Sequence, residues 1–223
     1  MLDFGAGTTH ITPITKARID HQGRNKLPKY LRYRYANRQY LHRGSLYTSV
    51  NQICNGIDNK YGSYPFTPRA CRMVVVASLL KYVHPEIARE HDFPLLEEKD
   101  ARILLARAVG MDIKSMTDRE LLTLAQGIYS ELSSQVGTAF RGVLDSPKGL
   151  ANRMELVTTG LSGKPVMETA FARDQGLRER LIHLEDKLPH RLHEASTAYG
   201  IALYAMDRLM DTSLPPDRVE VMP

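Results

Sequence analysis

The residues with the clearest chemical potential lie between positions 16 and 47, where nine Lys or Arg side chains accompany a single acid, Asp20. Five tyrosines are interleaved with these cations. Cations neutralise phosphates and flat aromatic rings stack on bases, so this composition is typical of contact with nucleic acid. The side chains that we predict to make this contact are Arg24, Lys26, Lys29, Arg32, Tyr33, Arg34, Tyr35, Arg38, Tyr40 and Arg43.

The charge of the chain is concentrated in the same segment. Residues 1–47 contain nine basic and two acidic residues (+7), whereas residues 48–223 contain 21 basic and 23 acidic residues (−2). A charge concentrated in this way creates a local field that attracts a polyanion. We therefore predict a protein that binds DNA or RNA in packaging, in regulation or as a subunit of a ribonucleoprotein.

An alternative interpretation of this segment is a structural role. Tyr and Arg are favoured anchors of protein interfaces, so the basic segment could dock on an acidic patch of a neighbouring subunit. In that case the chain is an assembly protein with a protein partner, or a homo-oligomer.

The first residues contain a glycine-rich pattern, Asp3-Phe4-Gly5-Ala6-Gly7-Thr8-Thr9. It resembles the Asp-x-Gly…Thr-Thr phosphate loop of actin-like and Hsp70-like ATPases. The resemblance implies backbone amides that approach phosphate and an aspartate that positions a metal-bound water. Such a loop must lie between two strands, and here the preceding strand would have only four residues. We therefore expect a flexible N-terminus.

A second pattern, YLHRGSLYTS at residues 40–49, resembles the strand arginine and the later Ser/Thr strand of mono-ADP-ribosyltransferases. The resemblance implies that Arg43 grips a nicotinamide dinucleotide, in a sheet-rich body with a late Gln/Glu-x-Glu motif. The late candidate here is Arg218-Val219-Glu220. No nucleophile, redox or P-loop signature is present. We lean against an enzyme and predict no catalytic residues and no cofactor.

Histidine and cysteine spacings do not predict a metal site. His84 and His91, seven residues apart, would lie about 10 Å apart along a helix. His183, His190 and His193 surround Pro189 in what we expect to be an exposed corner between helices. The two cysteines, Cys54 and Cys71, are expected to be reduced core residues.

Most of the chain after residue 45 has helical periodicity, so we predict a mainly α fold of about seven helices. The strongest signal is Thr117-Asp-Arg-Glu120, a capping box ahead of an apolar stripe. Further helices are predicted at 45–57, from Pro68 to Val83 with MVVVA helical, at 95–110 ending in Gly110, at 146–160, at 164–188 and at 192–209. For LRYRY at 31–35 both a strand and a helix remain open.

These elements predict three parts. An extended basic, tyrosine-rich arm spans residues 1–44, an α-helical body spans 45–212, and a flexible tail spans 213–223. The longest uninterrupted apolar run, MVVVA, is far shorter than the ~20 residues of a membrane span. The N-terminus has no signal-peptide pattern, and we predict a cytoplasmic protein with no membrane partner.

Overall fold

The computed structural model describes residues 1–15, 18–19, 27–67, 71–91, 93, 96–145 and 155–187. Within these ranges the chain forms nine strands and seven α-helices. The strands are β1 (Leu2–Phe4), β2 (Thr9–Ile11), β3 (Ile14–Thr15), β4 (Arg18–Ile19), β5 (Tyr40–Leu41), β6 (Gly56–Asn59), β7 (Gly62–Pro65), β8 (Leu156–Gly160) and β9 (Leu181–His183). The helices are α1 (Leu27–Ala36), α2 (Met73–Leu79), α3 (Pro85–Glu90), α4 (Glu98–Ala108), α5 (Asp118–Leu144), α6 (Gly163–Ala170) and α7 (Gln175–Arg178). Short 3-10 helices cover Val50–Gln52, Ile113–Ser115 and Leu184–Asp186.

Five strands form one mixed sheet in the order β5-β2-β1-β8-β9. β2 is antiparallel to both β1 and β5, whereas β8 is parallel to both β1 and β9. The carboxyl ends of β1, β8 and β9 therefore lie along the same edge of the sheet. In open α/β sheets that edge is where ligands bind. The remaining strands form the two-stranded pairs β3–β4 and β6–β7.

The prediction of a mainly α fold, and with it the all-α description, is wrong, because the protein is mixed α/β with a five-stranded sheet. The expected flexible N-terminus is also wrong. Leu2, Phe4 and Ile11 are buried in β1 and β2, and Leu2 pairs with Thr158 of β8. A three-residue strand is too short to show alternation, and its partner lies more than a hundred residues away along the chain. Local pattern could not reveal this pairing.

The helix α5 forms the centre of the core. Thr117 caps its first turn by accepting a hydrogen bond from the Glu120 amide, and the Glu120 carboxylate accepts one from the Thr117 amide. One face of α5 is buried over its whole length, from Leu121 to Leu144. It packs most extensively against α6 and also against α2. The predicted capping box and the helix that follows it are confirmed.

Two further helix predictions are confirmed. The MVVVA segment is helical, in α2, and it is buried on nearly all sides. The predicted bounds are wrong: the helix begins at Met73 after an extended Arg72, and it ends at Leu79 and not at Val83. The helix predicted at 95–110 forms as α4, and Gly110 follows it with a φ of +72°, the left-handed conformation typical of a helix end. The open choice for LRYRY is decided in favour of a helix, α1.

The predicted helix at 45–57 is wrong. The apolar positions Leu46, Val50 and Ile53 are buried as a helical stripe would be, but they lie in a loop and a 3-10 turn. The amides of Ser45 and Leu46 donate to carbonyls of the β1–β2 turn instead of to their own segment. The residues at the end of the predicted helix belong to the hairpin β6–β7.

The helices predicted at 146–160 and 164–188 are wrong in their described parts. Leu156–Gly160 is strand β8, in agreement with the β-branched side chains of Val157, Thr158 and Thr159. The second segment divides into α6, α7 and β9. The helix predicted at 192–209 and the tail lie outside the described residues. None of the described helices is both long enough and apolar enough to span a membrane.

Candidate functional site: a glycine-rich turn and a neighbouring cleft

The turn at Gly5–Thr8 joins β1 to β2 and lies at the edge formed by the carboxyl ends of β1, β8 and β9. The Gly5 amide donates to the Thr8 carbonyl at 2.9 Å. The Gly5 carbonyl accepts from the Ser45 amide at 3.0 Å, and the Ala6 carbonyl accepts from the amides of Leu46 and Tyr47 at 2.8 and 3.0 Å. Residues 45–47 therefore hold the carbonyl side of this turn in place.

The amide side of the turn faces the other way. In a trans peptide the N–H points opposite to the carbonyl of the preceding residue, and the described chain contains no cis peptide. Because the Gly5 and Ala6 carbonyls face residues 45–47, the N–H groups of Ala6 and Gly7 point away from that segment. Neither N–H donates to an acceptor within the described ranges. Consecutive amides directed to one side are an anion-binding arrangement.

Two glycines permit the close packing around the turn. A Cβ at Gly44 would lie 2.6 Å from the carbonyl groups of Gly5 and Ala6. At Gly160, φ is +97°, and a Cβ would collide with the Phe4 carbonyl and lie 2.8 Å from the Asp3 carboxylate. These glycines bring the end of β8 and the segment before residue 45 against the turn. The Asp3 carboxylate consequently lies beside the carboxyl end of β8.

His10 lies directly opposite Asp3 on the neighbouring strand, because the two residues are register partners of β2 and β1. The Thr8 hydroxyl is 3.4 Å from His10 Nε2. Burial lowers the pKa of His10, the Arg34 guanidinium lowers it further, and the Asp3 carboxylate opposes the shift. His10 is therefore predominantly neutral at neutral pH and contributes a hydrogen-bonding group and not a charge.

A second polar group lies at the carboxyl end of β9. His183 Nδ1 is 2.6 Å from the Thr158 hydroxyl, and its Nε2 is 3.8 Å from Glu168. Burial lowers the pKa of His183, while Glu168 opposes the shift. The adjacent N-terminus of α6 is already occupied, because the Lys164 amide donates to Glu185 at 2.9 Å. The β1–β2 turn is thus the better candidate for an external anion.

A cleft of about 610 Å³ lies beside the edge strand β5, between the end of α1, β5 and α5. Its walls from α1 and β5 include Tyr35, Arg38, Tyr40, His42 and Arg43. The facing wall is the polar side of α5, which contributes Glu131, Ser134, Gln135 and Thr138. The cleft therefore combines cationic and aromatic groups with one carboxylate.

The structure distributes the ten predicted nucleic-acid contacts unevenly. Tyr35, Arg38, Tyr40 and Arg43 line the cleft. Arg32 is exposed and Tyr33 half-buried on α1. For Lys29 only the backbone, in α1, is described, and Arg24 and Lys26 lie outside the described residues.

Arg34 has a different role. It is only 8% exposed, and its guanidinium donates to the Ile11 and Gln39 carbonyls and to the Thr12 hydroxyl. These contacts tie α1 to β2. The guanidinium is therefore committed to the protein's own backbone.

The turn at Gly5–Thr8 was missed as a site by sequence reasoning, although its Asp-x-Gly…Thr-Thr pattern was visible. Its missing condition, a strand on each side, is met by β1 and β2, each three residues long. The ADP-ribosyltransferase pattern places Arg43 just after an edge strand, and its late motif, residues 218–220, lies outside the described residues.

Among the residues that the structure describes, no group of three or more His, Cys, Asp or Glu side chains is arranged to hold a metal ion. His84 caps α3 and is exposed, and His91 packs against Tyr47. The absence of a metal and of a cofactor remains a prediction.

Comparison with known proteins assigns no family: the sequence matches no protein-family model and no curated protein.

Proposed function

We propose that the protein binds a nucleoside phosphate at the β1–β2 turn. The observation that carries the proposal is the orientation of the Ala6 and Gly7 amides, which face away from residues 45–47 and donate to no acceptor in the described part of the chain. A phosphate oxygen is the natural acceptor for such a pair. The carbonyls of the turn accept three hydrogen bonds from the amides of residues 45–47. The backbone of the turn is thus already ordered, and binding would cost little conformational entropy.

The sequence pattern and the position of the turn support the same ligand class. The pattern Asp3-Phe4-Gly5-Ala6-Gly7-Thr8-Thr9 resembles an ATPase phosphate loop, and such a loop needs a strand on each side. Here β1 and β2 flank the turn, and it lies at the edge formed by the carboxyl ends of parallel strands. Mg²⁺ in nucleotide sites is commonly held by one or two carboxylates together with ligand phosphates. The Asp3 carboxylate would be the protein ligand of such an ion.

The test is a titration calorimetry comparison of ATP and ADP, with and without Mg²⁺, on wild type and a charge variant. Gly7→Asp places a carboxylate at the turn, and the structure has room for it, because a Cβ there meets only Tyr47 at 3.4 Å. We expect nucleotide affinity to fall by about tenfold or more, which corresponds to ~1.4 kcal/mol. Repulsion between the new carboxylate and the phosphate is the cause.

The matched control is Ser63→Asp, which adds the same charge at an exposed position of the other hairpin, in β7. It should bind nucleotide as wild type does. Wild type that binds neither ATP, ADP nor inorganic phosphate would contradict the proposal, as would equal effects of the two variants.

We also propose that the protein is located in the cytoplasm. Both cysteines, Cys54 and Cys71, are free thiols. Free thiols are expected where glutathione keeps cysteine reduced. Fractionation of the expressing cells, with detection of the tagged protein, tests the location.

A further inference from the structure

The cleft between α1, β5 and α5 has features that the nucleotide proposal does not use. Its volume of about 610 Å³ falls within the ~300–1,000 Å³ typical of ligand sites. It opens beside β5, which is an edge strand of the five-stranded sheet. The side chains at its rim belong to the basic, tyrosine-rich segment of the sequence.

The two arginines of the cleft have N–H donors that no described residue accepts. Arg43 Nε donates to Gln135 at 3.1 Å and its Nη1 donates to the His42 carbonyl at 2.9 Å, while Nη2 donates to no acceptor in the described chain. The Arg38 guanidinium makes no hydrogen bond or ion pair with any described residue. Its Cδ lies near α5, 3.3 Å from the position that a Cβ at Gly142 would take. Both cations can therefore donate to an external anion.

The position of Arg43 is fixed by a second layer of contacts. Its carbonyl accepts from the Thr9 hydroxyl at 2.7 Å, and Gln135 is itself held by donating to the Ile53 carbonyl at 2.6 Å. A guanidinium held in this way loses less side-chain entropy when it binds a phosphate. Arg43 is therefore preorganised, whereas the Arg38 guanidinium has no such hydrogen-bonded support among the described residues.

The aromatic groups of the cleft supply accessible rings. Tyr35 is 64% exposed, more than any other large hydrophobic side chain among the described residues. Tyr40 is held edge-on between the rings of His10 and His42, at centroid distances of 4.9 and 4.8 Å. An exposed ring beside a guanidinium can stack on an unpaired base while the cation meets its phosphate.

We propose that this cleft binds single-stranded nucleic acid, with Arg38 and Arg43 on phosphates and a base stacked on Tyr35. A single strand is favoured over a duplex because the rings can reach only an unpaired base. The small number of cations, offset by Glu131, also favours it. This proposal concerns a different site from the nucleotide turn and does not depend on it.

Fluorescence anisotropy of a labelled oligo-dT or oligo-U across a salt series tests the proposal. With two phosphates neutralised, log affinity against log salt should have a slope of about −1.4, since each phosphate of a single strand contributes about −0.7. Arg38→Ala should bring the slope to about −0.7. The matched control is Arg32→Ala, an exposed cation of α1 outside the cleft, which should leave the slope unchanged.

Tyr35→Ala should weaken binding by about five- to 150-fold with no change in slope, because it removes stacking but no charge. Tyr61→Ala, which removes an exposed ring from the β6–β7 turn, is its control and should have no effect. Both Tyr35 and Arg38 are exposed, so these variants should keep the fold, and thermal melts check this. Gly7→Asp should not reduce oligonucleotide affinity.

Three results would overturn the proposal: no oligonucleotide binding at low salt, binding insensitive to both Arg38→Ala and Tyr35→Ala, or binding abolished by Gly7→Asp. Equal affinity for polyglutamate, with no effect of Tyr35→Ala, would replace it with docking on an acidic protein surface.

Discussion

At the scale of single residues, arginines that look equivalent in the sequence make different contacts in the structure. Arg34 is buried and donates to backbone carbonyls of two other segments. Arg43 is held by Gln135 at the rim of the cleft, and Arg38 is exposed there. Composition predicts that such a segment meets an anion, but only packing decides which guanidinium is available to one.

Replacing Arg34 should therefore affect stability and not ligand binding. Arg34→Ala leaves the carbonyls of Ile11 and Gln39 without this donor, and hydrogen bonds to a charged group contribute about 1.5–3 kcal/mol each. We expect the free energy of unfolding, measured by urea denaturation, to fall by about 2 kcal/mol or more.

The exposed neighbour Arg32 on α1 is the control for that experiment. Arg32→Ala should change the unfolding free energy by no more than about 0.5 kcal/mol, as is usual for surface substitutions. Equal effects of the two variants would show that the Arg34 contacts do not stabilise the fold.

At the scale of elements, predictions that depend on neighbouring residues were confirmed, whereas those decided by long-range pairing were wrong. The capping box at Thr117 and the end of α4 at Gly110 depend on residues a few positions apart, and both form as predicted. The segment at 45–57 has helical periodicity, yet its first amides bond to the β1–β2 turn. Apolar spacing reports which side chains are buried, and it does not by itself decide the backbone conformation.

The junction between β1 and β8 gives a prediction at this scale. Gly160→Ala puts a Cβ against the Phe4 carbonyl and places a non-glycine residue at a φ of +97°. Backbone strain of this kind costs about 1–3 kcal/mol. We expect the melting temperature and the urea midpoint to fall accordingly.

Gly176→Ala is the matched control, since Gly176 lies in α7 with only Asp174 near its Cβ position, at 3.9 Å. An alanine there should be neutral or stabilise the protein by about 0.4–1 kcal/mol through the unfolded state. Gly160→Ala with wild-type stability would mean that β8 does not approach β1 as closely as described.

At the scale of the whole molecule, the first residues of the chain are part of the core. β1 is the central strand of the five-stranded sheet and joins the antiparallel half to the parallel half. Leu2 and Phe4 are fully buried. Residues 2–4 and 9–11 therefore belong to the sheet and not to a free tail.

Deletion of residues 1–12 should consequently prevent folding. It removes β1 and β2, leaving β5 and β8 without the strands that lie between them. We expect the truncated chain to lose the cooperative thermal transition in far-UV circular dichroism, because hydrophobic burial and strand pairing are lost together. A truncated chain that melts as wild type does would show instead that these residues form a dispensable arm.

Part of this protein can be derived from the sequence alone. The concentration of cations and tyrosines before residue 48, the cap at Thr117, the buried helix at MVVVA and the glycine end of α4 all depend on composition or on neighbours within one helical turn. Such signals are readable because the interactions that produce them are local.

The sheet and both candidate sites were decided by the tertiary structure. β1 and β2 have three residues each, too few for a periodic signal, and the pairing of Leu2 with Thr158 spans most of the chain. The anion-binding orientation of the Gly5–Thr8 turn depends on hydrogen bonds from residues 45–47, and the cleft depends on α5 facing β5. Contacts between segments so distant in sequence have no local pattern, because their energy is gained only when the chain has already brought them together.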